Sequence, residues 1–204
     1  MHGSKIQGIL FDFDGVLIDS ENLYYKIWQD LLGPFNVQFT RNDLTGRTNE
    51  QFLNQLGINN KVELIICKNK LSLEMIPNIS IDLRVKNLIL ELQKKNIQMG
   101  IVSNNSSSII EKFLSNNGIL FCFHHNIFSM DLYPGVNPKP SGDLYLKAIK
   151  NLGLERSNLI AVEDSQIGYN SCKAANLDYV EFNYLVADKS ISNIKERLKW
   201  EIIT

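Results

Sequence analysis

Two aspartates near the amino terminus are the residues of this sequence best placed to do chemistry. Asp12 and Asp14 follow the apolar run Ile9-Leu10-Phe11 and precede Gly15. Alternate residues of a β-strand project from the same side, so both carboxylates should leave the end of one strand in the same direction. Unpaired carboxylates beside buried residues cost free energy, so we expect a cation to meet them. For this pair alone, an exposed Asp-Gly turn after a strand is the alternative interpretation.

Three further stretches place polar side chains beside the end of an apolar run or the start of a helical pattern. Ser103-Asn104-Asn105 follows the run 99–102, Glu163-Asp164-Ser165 follows the run 159–162, and Lys139 stands between two prolines just before a helical pattern. In open α/β sheets, ligands bind beyond the carboxyl ends of the strands, so these groups should converge on one site. Their convergence would make the exposed-turn interpretation of the first pair much weaker.

This set of side chains suits the transfer of a phosphoryl group to water. Carboxylate oxygens favour a hard cation such as Mg²⁺, which neutralises phosphate charge. Ser, Asn and Lys side chains can hold the equatorial phosphoryl oxygens, and one aspartate is free to act as nucleophile. Without the metal, acids placed so close together would repel one another.

The elements that must position these residues alternate between short β-like runs and helical patterns. This alternation predicts an α/β fold with a mostly parallel sheet. The strand candidates are 7–13, 98–103, part of 119–128, 159–163 and 179–182. The helix candidates outside the first connection are 83–95, 107–116, 142–152, 167–175 and 190–200.

Residues 19–82, between the first two strand candidates, carry three helical patterns and no clear strand. A β-α crossover does not need that length. Apolar residues at three- and four-residue spacing predict the core of a small helical bundle. We therefore expect a helical cap subdomain at 19–82 inserted into a catalytic core formed by 1–18 and 83–204. The apolar residues concerned are Tyr24, Ile27, Trp28, Leu31, Leu32, Phe52, Leu53, Leu56, Val62, Ile65, Ile66 and Leu73.

Charge, cysteine usage and hydropathy argue against several classes of protein. In a chain of 204 residues, 21 Lys and Arg against 22 Asp and Glu leave a net charge of −1, so no positive field is present to hold a nucleic acid. Cys67, Cys122 and Cys172 are widely spaced, which predicts reduced thiols rather than disulfides or a zinc site. No run of about 18 uncharged apolar residues and no targeting signal is visible, so we expect a cytoplasmic protein without membrane contact.

The motifs and their order resemble those of the haloacid dehalogenase superfamily, in its branch of capped phosphatases and β-phosphoglucomutase-like enzymes. The resemblance covers essentially the whole chain. It implies that the first strand lies centrally in the sheet, beside the strands that carry the second and fourth motifs, and that the cap follows the first strand. The four motifs are Asp12-Phe13-Asp14-Gly15-Val16-Leu17-Ile18-Asp19-Ser20, Ser103-Asn104, Lys139-Pro140 and Glu163-Asp164-Ser165-Gln166-Ile167-Gly168.

The resemblance also implies catalytic roles. Asp12 would be the nucleophile that takes the phosphoryl group as an aspartyl-phosphate. Asp14 would be the acid that protonates the leaving oxygen and then the base that activates water. Ser103 and Asn104 would bind the phosphate, and Lys139 would steady the negative charge of nucleophile and phosphate.

By the same resemblance, Mg²⁺ would be held by the side chain of Asp12, the main-chain carbonyl of Asp14 and the side chain of Asp164. Glu163 would bind the metal directly or support the residues that do. Gly46-Arg47-Thr48 matches a short turn that faces the active site in many relatives, so Arg47 is a candidate to bind a second anionic group of the substrate.

The sequence departs from the usual pattern of that family at several positions. Many capped relatives carry a histidine where this chain has Tyr24, and a phenol that titrates near about 10 is a poor proton shuttle at neutral pH. Gly142 replaces a common proline and predicts a looser loop before it. Asn176 replaces a common glycine and tolerates the left-handed conformation that ends a helix. His124 and His125 should point to opposite faces of an extended segment, which is a poor metal site.

The sequence therefore predicts a Mg²⁺-dependent phosphatase of small phosphorylated metabolites, with a Rossmann-like parallel-sheet core and an inserted helical cap. A sugar-phosphate mutase of the same branch is the alternative. A dehalogenase needs neither a metal nor a second aspartate at position 14, and a non-catalytic binding protein would be expected to have lost a motif. The sequence names neither the substrate nor the oligomeric state, and a monomer is compatible with it.

Overall fold

The computed structural model describes residues 6–123 and 126–199. Within these ranges, parallel strands form a single sheet in the order β3-β2-β1-β4-β5. The strands are β1 (Gly8–Phe11), β2 (Gln98–Ser103), β3 (Ile127–Ser129), β4 (Leu159–Glu163) and β5 (Tyr179–Glu181). The helices are α1 (Glu21–Leu32), α2 (Asn49–Gln55), α3 (Lys61–Met75), α4 (Leu83–Lys94), α5 (Ser107–Asn116), α6 (Asp143–Leu152), α7 (Gln166–Ala174) and α8 (Ala187–Arg197). The predicted α/β fold and the central position of the first strand are confirmed.

The sheet is covered on both faces, which explains its continuous apolar strands. Every residue of β1 and of β4 is buried. Ile9 belongs to a hydrophobic cluster that includes residues of α4, α5 and α8, whereas the next residue, Leu10, belongs to a cluster that includes residues of α6. Successive residues of a strand point to opposite faces, so both faces require apolar side chains. The result is a three-layer, Rossmann-like arrangement.

The connection between β1 and β2 contains the helices α1, α2 and α3. We call residues 19–82 the helical insertion. It has a hydrophobic cluster of its own, which includes Trp28, Leu32, Phe52 and Leu53. Most of the predicted core residues of α1 and α2 are therefore found packed together, because their apolar spacing follows the helical period. Tyr24 instead lines a cavity.

The predicted core face of α3 is wrong in part. Val62 and Ile66 are 71% and 62% exposed, whereas Leu64, Lys68 and Ser72 are buried. The buried residues are four apart and so share one face of the helix, and this face includes a lysine. Apolar spacing alone could not find it.

Several sequence-based boundaries also shift. The strand candidate within 119–128 is reduced to β3, because residues 120–123 form a 3₁₀ turn.

Asn176 has the left-handed conformation that was predicted, with φ of 52°. Gly142 is buried, and a Cβ there would lie 2.7 Å from the backbone nitrogen of Ala175, so the structure shows tight packing where the sequence suggested looseness.

The histidine pair 124–125 and the end of the predicted helix 190–200 lie outside the described residues. Within the parts of the chain that are described, none of the helices combines the length and the hydropathy needed to cross a bilayer.

Candidate active site

The carboxyl ends of β1, β2 and β4 lie side by side at one edge of the sheet. The register pairs Phe11 of β1 with Ile101 of β2 and with Val162 of β4. Because these strands are parallel, the residues that follow them emerge at the same edge. They open into a cavity of about 420 Å³ between the sheet edge and the helical insertion. The predicted site residues that line it are Asp12, Asp14, Arg47, Ser103, Asn104, Lys139 and Asp164.

A buried ion pair lies at the base of this cavity. The Nζ of Lys139 donates hydrogen bonds to Oδ1 of Asp12 at 3.0 Å and to Oε1 of Glu163 at 2.5 Å. Burial lowers the pKa of Lys139, but the two carboxylates outweigh it and hold the pKa above its usual value. The hydroxyl of Tyr145 donates to the same oxygen of Glu163 at 2.6 Å. These contacts keep the ammonium charged and fix it beside Asp12.

Asp164 brings a further carboxylate to this pair. One carboxylate oxygen each from Asp12, Glu163 and Asp164 lies within 4.8 Å of the others. Burial, followed by the charges of Asp12 and Glu163, raises the pKa of Asp164 to about 8. Burial and the charge of Asp12 likewise raise the pKa of Glu163 to about 7. A single lysine does not balance this much negative charge.

The surroundings of the cluster fit a small divalent cation. All its side-chain donors are carboxylate oxygens, which are the ligands that Mg²⁺ prefers. Oε2 of Glu163 is buried and has no hydrogen-bond partner among the described residues. Gly15 has φ of 79°, and a Cβ there would lie 1.7 Å from Oδ2 of Asp164, so only glycine allows the chain to pass this close to that carboxylate.

The carboxylate of Asp14 is held by one donor on each oxygen. The hydroxyl of Ser20 donates to Oδ1 at 2.6 Å, and Nδ2 of Asn105 donates to Oδ2 at 3.0 Å. Burial raises the pKa of Asp14 above its usual value, although the hydrogen bond from Ser20 opposes the shift. The side chain is therefore fixed in direction at the side of the cavity.

Ser103 ends β2, and Asn104 follows it. Ser103 is buried, and its hydroxyl oxygen accepts a hydrogen bond from the main-chain nitrogen of Asn105 at 3.0 Å. The side chain of Asn104 accepts from the main-chain nitrogen of Lys139 at 2.9 Å and donates to the carbonyl of Gly46 at 3.0 Å. Asn104 thus ties the loop of Lys139 to the end of β2 and to the helical insertion.

The helical insertion contributes a tyrosine and a lysine to the opposite wall. Nζ of Lys68 lies 4.0 Å from the centre of the Tyr24 ring, and Lys68 is only 2% exposed. Burial lowers the pKa of Lys68 to about 8, although the charge of Asp14 opposes this shift. Burial and the charge of Asp14 raise the pKa of Tyr24 well above its usual value, so the phenol stays protonated.

Comparison with known protein families finds one family profile that covers the four motifs and most of the fold. The profile of the haloacid dehalogenase-like hydrolases matches residues 9–182, which include the whole helical insertion and all of the sheet except the first residue of β1. The chain belongs to the haloacid dehalogenase-like hydrolase family. The resemblance that the four motifs suggested is thereby confirmed.

Proteins similar to this haloacid dehalogenase-like hydrolase carry different names. Fructose-1-phosphate phosphatase YqaB of Escherichia coli is 22% identical over 89% of this chain and 98% of its own. Protein SUPPRESSOR OF QUENCHING 1, chloroplastic, of Arabidopsis thaliana is 26% identical over 85% of this chain, which spans only 17% of that longer protein. The crystal structure of β-phosphoglucomutase from Clostridium difficile superposes with a TM-score of 0.78 at 22% identity, covering 95% of this chain and 97% of that one.

In this haloacid dehalogenase-like hydrolase, Arg47 lies at the cavity wall, but its guanidinium is hydrogen-bonded to its own loop. Its Nη1 donates to the main-chain carbonyls of Asn42 and Asp43, both at 2.9 Å. The guanidinium therefore braces this turn of the insertion. Its predicted contact with a second substrate anion stays a prediction.

Sequence reasoning gave no role to Lys68 or Asn105, although both face the site. A lysine that is spaced four residues from Leu64 and Ser72 on one helix face is a signal that could have been used. Asn105 continues the polar string that ends β2, and its side-chain direction cannot be read from the sequence.

Proposed function

We propose that this hydrolase is a Mg²⁺-dependent phosphatase that cleaves small phosphorylated metabolites through an aspartyl-phosphate on Asp12. The observation that carries the proposal is the buried ion pair of Asp12 with Lys139, adjacent to Asp164 and open to the cavity. A volume of about 420 Å³ suits a small ligand. Membership of a hydrolase family with relatives named for sugar-phosphate chemistry supports the same assignment.

We propose that the metal is held by the side chains of Asp12 and Asp164 and by the main-chain carbonyl of Asp14. Glu163 would bind through its unpartnered Oε2 or act through Lys139. When bound, Mg²⁺ would neutralise part of the charge on the carboxylates and on the phosphate. The remaining steps belong to residues of the chain.

In the first step, a carboxylate oxygen of Asp12 attacks the phosphorus atom of the ester. The new bond between that oxygen and phosphorus forms as the bond to the leaving oxygen breaks, and Asp14 gives its proton to the leaving oxygen. Oδ1 of Asp12 accepts hydrogen bonds from Nζ of Lys139 at 3.0 Å and from the main-chain nitrogen of Phe13 at 2.7 Å. These two donors fix the orientation of the nucleophile.

In the second step, water attacks the phosphorus atom of the aspartyl-phosphate. Asp14, now ionised, takes a proton from the water as the new P–O bond forms and the bond to Asp12 breaks. Inorganic phosphate leaves, and the carboxylate of Asp12 and the carboxyl group of Asp14 are restored. Asp14 therefore serves as acid and then as base from one position.

Ser103, Asn104 and Lys139 are proposed to bind the phosphoryl oxygens. Ser103 and Lys139 stand at the cavity wall next to Asp12, with a hydroxyl and an ammonium as donors. The side chain of Asn104 is bound to main-chain atoms of Lys139 and Gly46. The side chain of Asn104 therefore holds this loop in place. The proposed contact of Asn104 with phosphate would come from its main chain.

We propose that the helical insertion, residues 19–82, acts as the cap that excludes bulk water and selects the leaving group. Tyr24, Arg47 and Lys68 line the cavity from that side. The hydrogen bond from Asn104 to the carbonyl of Gly46 and that from Asn105 to the hydroxyl of Tyr24 join it to the core. Arg47 remains the proposed contact for a second anionic group.

The mutase alternative is supported by the structural match to β-phosphoglucomutase. Tyr24 argues against it, because its raised pKa leaves a phenol that cannot take a proton from a second sugar hydroxyl at neutral pH. Water should then be the main acceptor of the phosphoryl group. A dehalogenase would not need the second carboxyl group that Asp14 supplies.

The proposal is tested by measuring the release of inorganic phosphate from a panel of sugar phosphates, nucleotides and small organophosphates. We expect turnover with Mg²⁺, inhibition by excess EDTA, and recovery when Mg²⁺ is restored. Full activity in EDTA with no added metal, or no phosphate release from any ester, would contradict the proposal.

A further inference from the structure

Asn105 joins the core to the helical insertion at the carboxylate of Asp14. Its Nδ2 donates one hydrogen bond to Oδ2 of Asp14 at 3.0 Å and another to the hydroxyl oxygen of Tyr24 at 2.8 Å. The proposed mechanism asks Asp14 to face the leaving oxygen and then a water. This amide is the contact from the core's second strand that fixes that direction.

The orientation of the amide is determined by its other contacts. Oδ1 of Asn105 accepts a hydrogen bond from the main-chain nitrogen of Ser106 at 2.9 Å, at the start of α5. An N–H group can only donate, so the oxygen of the amide must face Ser106. Nδ2 must then face the carboxylate of Asp14, which can only accept when it is ionised.

The other oxygen of Asp14 is held by a residue at the start of the helical insertion. Ser20, which precedes α1, donates to Oδ1 at 2.6 Å. Asn105 therefore supplies the second point that a planar carboxylate needs to be fixed in rotation. Tyr24 belongs to α1, so its contact with Asn105 also ties that direction to the docked position of the helical insertion.

We propose that Asn105 is a positioning residue that aims Asp14 at the leaving oxygen, and that Tyr24 steadies Asn105 from the helical insertion. This inference rests on the proposed function. Removing the donor should harm the proton transfer that Asp14 performs and should spare phosphoryl transfer to Asp12 when the leaving group needs no proton.

The test uses Asn105→Ala, which removes the donor to Asp14 without placing a new charge beside it. Benzyl phosphate and p-nitrophenyl phosphate are compared with Mg²⁺ present, because benzyl alcohol must leave with a proton whereas p-nitrophenolate leaves without one. For benzyl phosphate we expect kcat/KM to fall about 100-fold, the lower end of general acid catalysis. For p-nitrophenyl phosphate kcat/KM should change by less than about threefold, while kcat falls because hydrolysis of the aspartyl-phosphate also needs Asp14.

A matched control is Asn60→Ala in the helical insertion. The Nδ2 of Asn60 also donates to a carboxylate, that of Glu63 at 2.6 Å, but at an exposed site. For this control, kcat and kcat/KM should stay within about twofold of the parent values with both esters. Tyr24→Phe should give a smaller loss with benzyl phosphate than Asn105→Ala does, because it removes the contact that steadies the amide and leaves the donor to Asp14 in place.

The outcomes separate this inference from the proposed function. If the parent releases phosphate from both esters and Asn105→Ala loses kcat/KM equally for both, the phosphatase stands and the positioning role is wrong. If the parent releases no phosphate from any ester, the proposed function has failed and this inference fails with it. Equal kcat/KM for variant and parent with both esters would also overturn the inference.

Discussion

The carboxyl groups of Glu163 and Asp164 should make the stability of the protein depend on pH. The pKa of Asp164 is raised from 3.8 to about 8, and that of Glu163 from 4.5 to about 7. A carboxyl group whose pKa is higher in the folded chain holds its proton more tightly there, so stability is highest at low pH and falls as the pH rises toward the folded value. In EDTA, we expect the unfolding temperature to fall between roughly pH 5 and pH 8.

Mg²⁺ should reduce this fall, because a divalent cation favours the ionised carboxylates. Asp164→Asn serves as the control: it should flatten the pH dependence in EDTA and weaken the response to Mg²⁺. Thermal unfolding followed by circular dichroism across a series of buffers measures both effects. A parent and a variant with the same pH profile would contradict this account of the acidic cluster.

Lys139 should contribute strongly to stability when no metal is bound. Replacing it with methionine leaves Asp12 and Glu163 buried without their cation, and breaking a buried ion pair in this way costs about 3–5 kcal/mol. Urea unfolding in EDTA at pH 8 should show this loss for Lys139→Met. Lys150→Met, an exposed change on α6, should stay within about 0.5 kcal/mol of the parent. Similar losses for the two variants would mean that the pair does not stabilise the fold.

At the scale of residues, the sequence indicated the members of the cluster because each follows an apolar strand or stands in a constrained loop. It did not indicate Lys68, and it included Asn105 among the polar residues after β2 without giving it a role. Their roles depend on which way one helix face and one amide turn, and both are set by tertiary contacts. The same holds for Arg47, whose bonds to its own loop are invisible in a linear sequence.

At the scale of elements, the start of α7 must pass close to Glu163. A Cβ on Gly168 would lie 1.9 Å from Oε2 of Glu163 and 2.2 Å from its carboxylate carbon. Glu163 has little freedom to move, since Lys139 and Tyr145 both bind its other oxygen. Gly168→Ala should therefore destabilise the protein by about 1–3 kcal/mol, the usual cost of overpacking.

For a chain of this size, that loss corresponds to a fall of roughly 3–10 °C in unfolding temperature. Asn170→Ala, an exposed change on the same helix, should shift the midpoint by less than about 2 °C. Differential scanning calorimetry compares the two. An unfolding temperature for Gly168→Ala equal to that of the control would show that α7 can move away from Glu163 without cost.

The sequence located most elements because parallel strands buried on both faces read as continuous apolar runs. The sequence was less accurate for one short strand and for one helix face. Near β3 the chain forms a 3₁₀ turn before a strand of only three residues, which is too short to show a period of its own. On α3, Val62 and Ile66 have the spacing of a core face but point to solvent, because the helix packs through Leu64, Lys68 and Ser72.

At the scale of the whole molecule, the position of the helical insertion over the sheet edge should favour water as the phosphoryl acceptor. Because the phenol of Tyr24 stays protonated and cannot activate a second sugar hydroxyl, β-glucose 1-phosphate with a trace of the 1,6-bisphosphate should yield inorganic phosphate and no isomer. Product analysis by NMR distinguishes the two reactions. Stoichiometric glucose 6-phosphate with little free phosphate would establish the mutase instead, and no reaction with either sugar would direct the search to other small esters.

The sequence predicted the insertion as a whole, since 64 residues with helical spacing exceed any ordinary crossover. The way in which the insertion meets the core could not be predicted. That contact depends on hydrogen bonds such as the one from Asn104 to the carbonyl of Gly46, between residues far apart in the chain.

The central claim is that Asp12 carries the phosphoryl group during turnover. The most direct measurement is an acid quench of the protein while it hydrolyses p-nitrophenyl phosphate labelled with ³²P in Mg²⁺, followed by peptide mapping of the label. We expect a label on the peptide that contains Asp12, more of it in Asp14→Asn because hydrolysis of the intermediate is slowed, and none in Asp12→Asn. Label on another residue, or phosphate release at the parental rate by Asp12→Asn, would contradict the account.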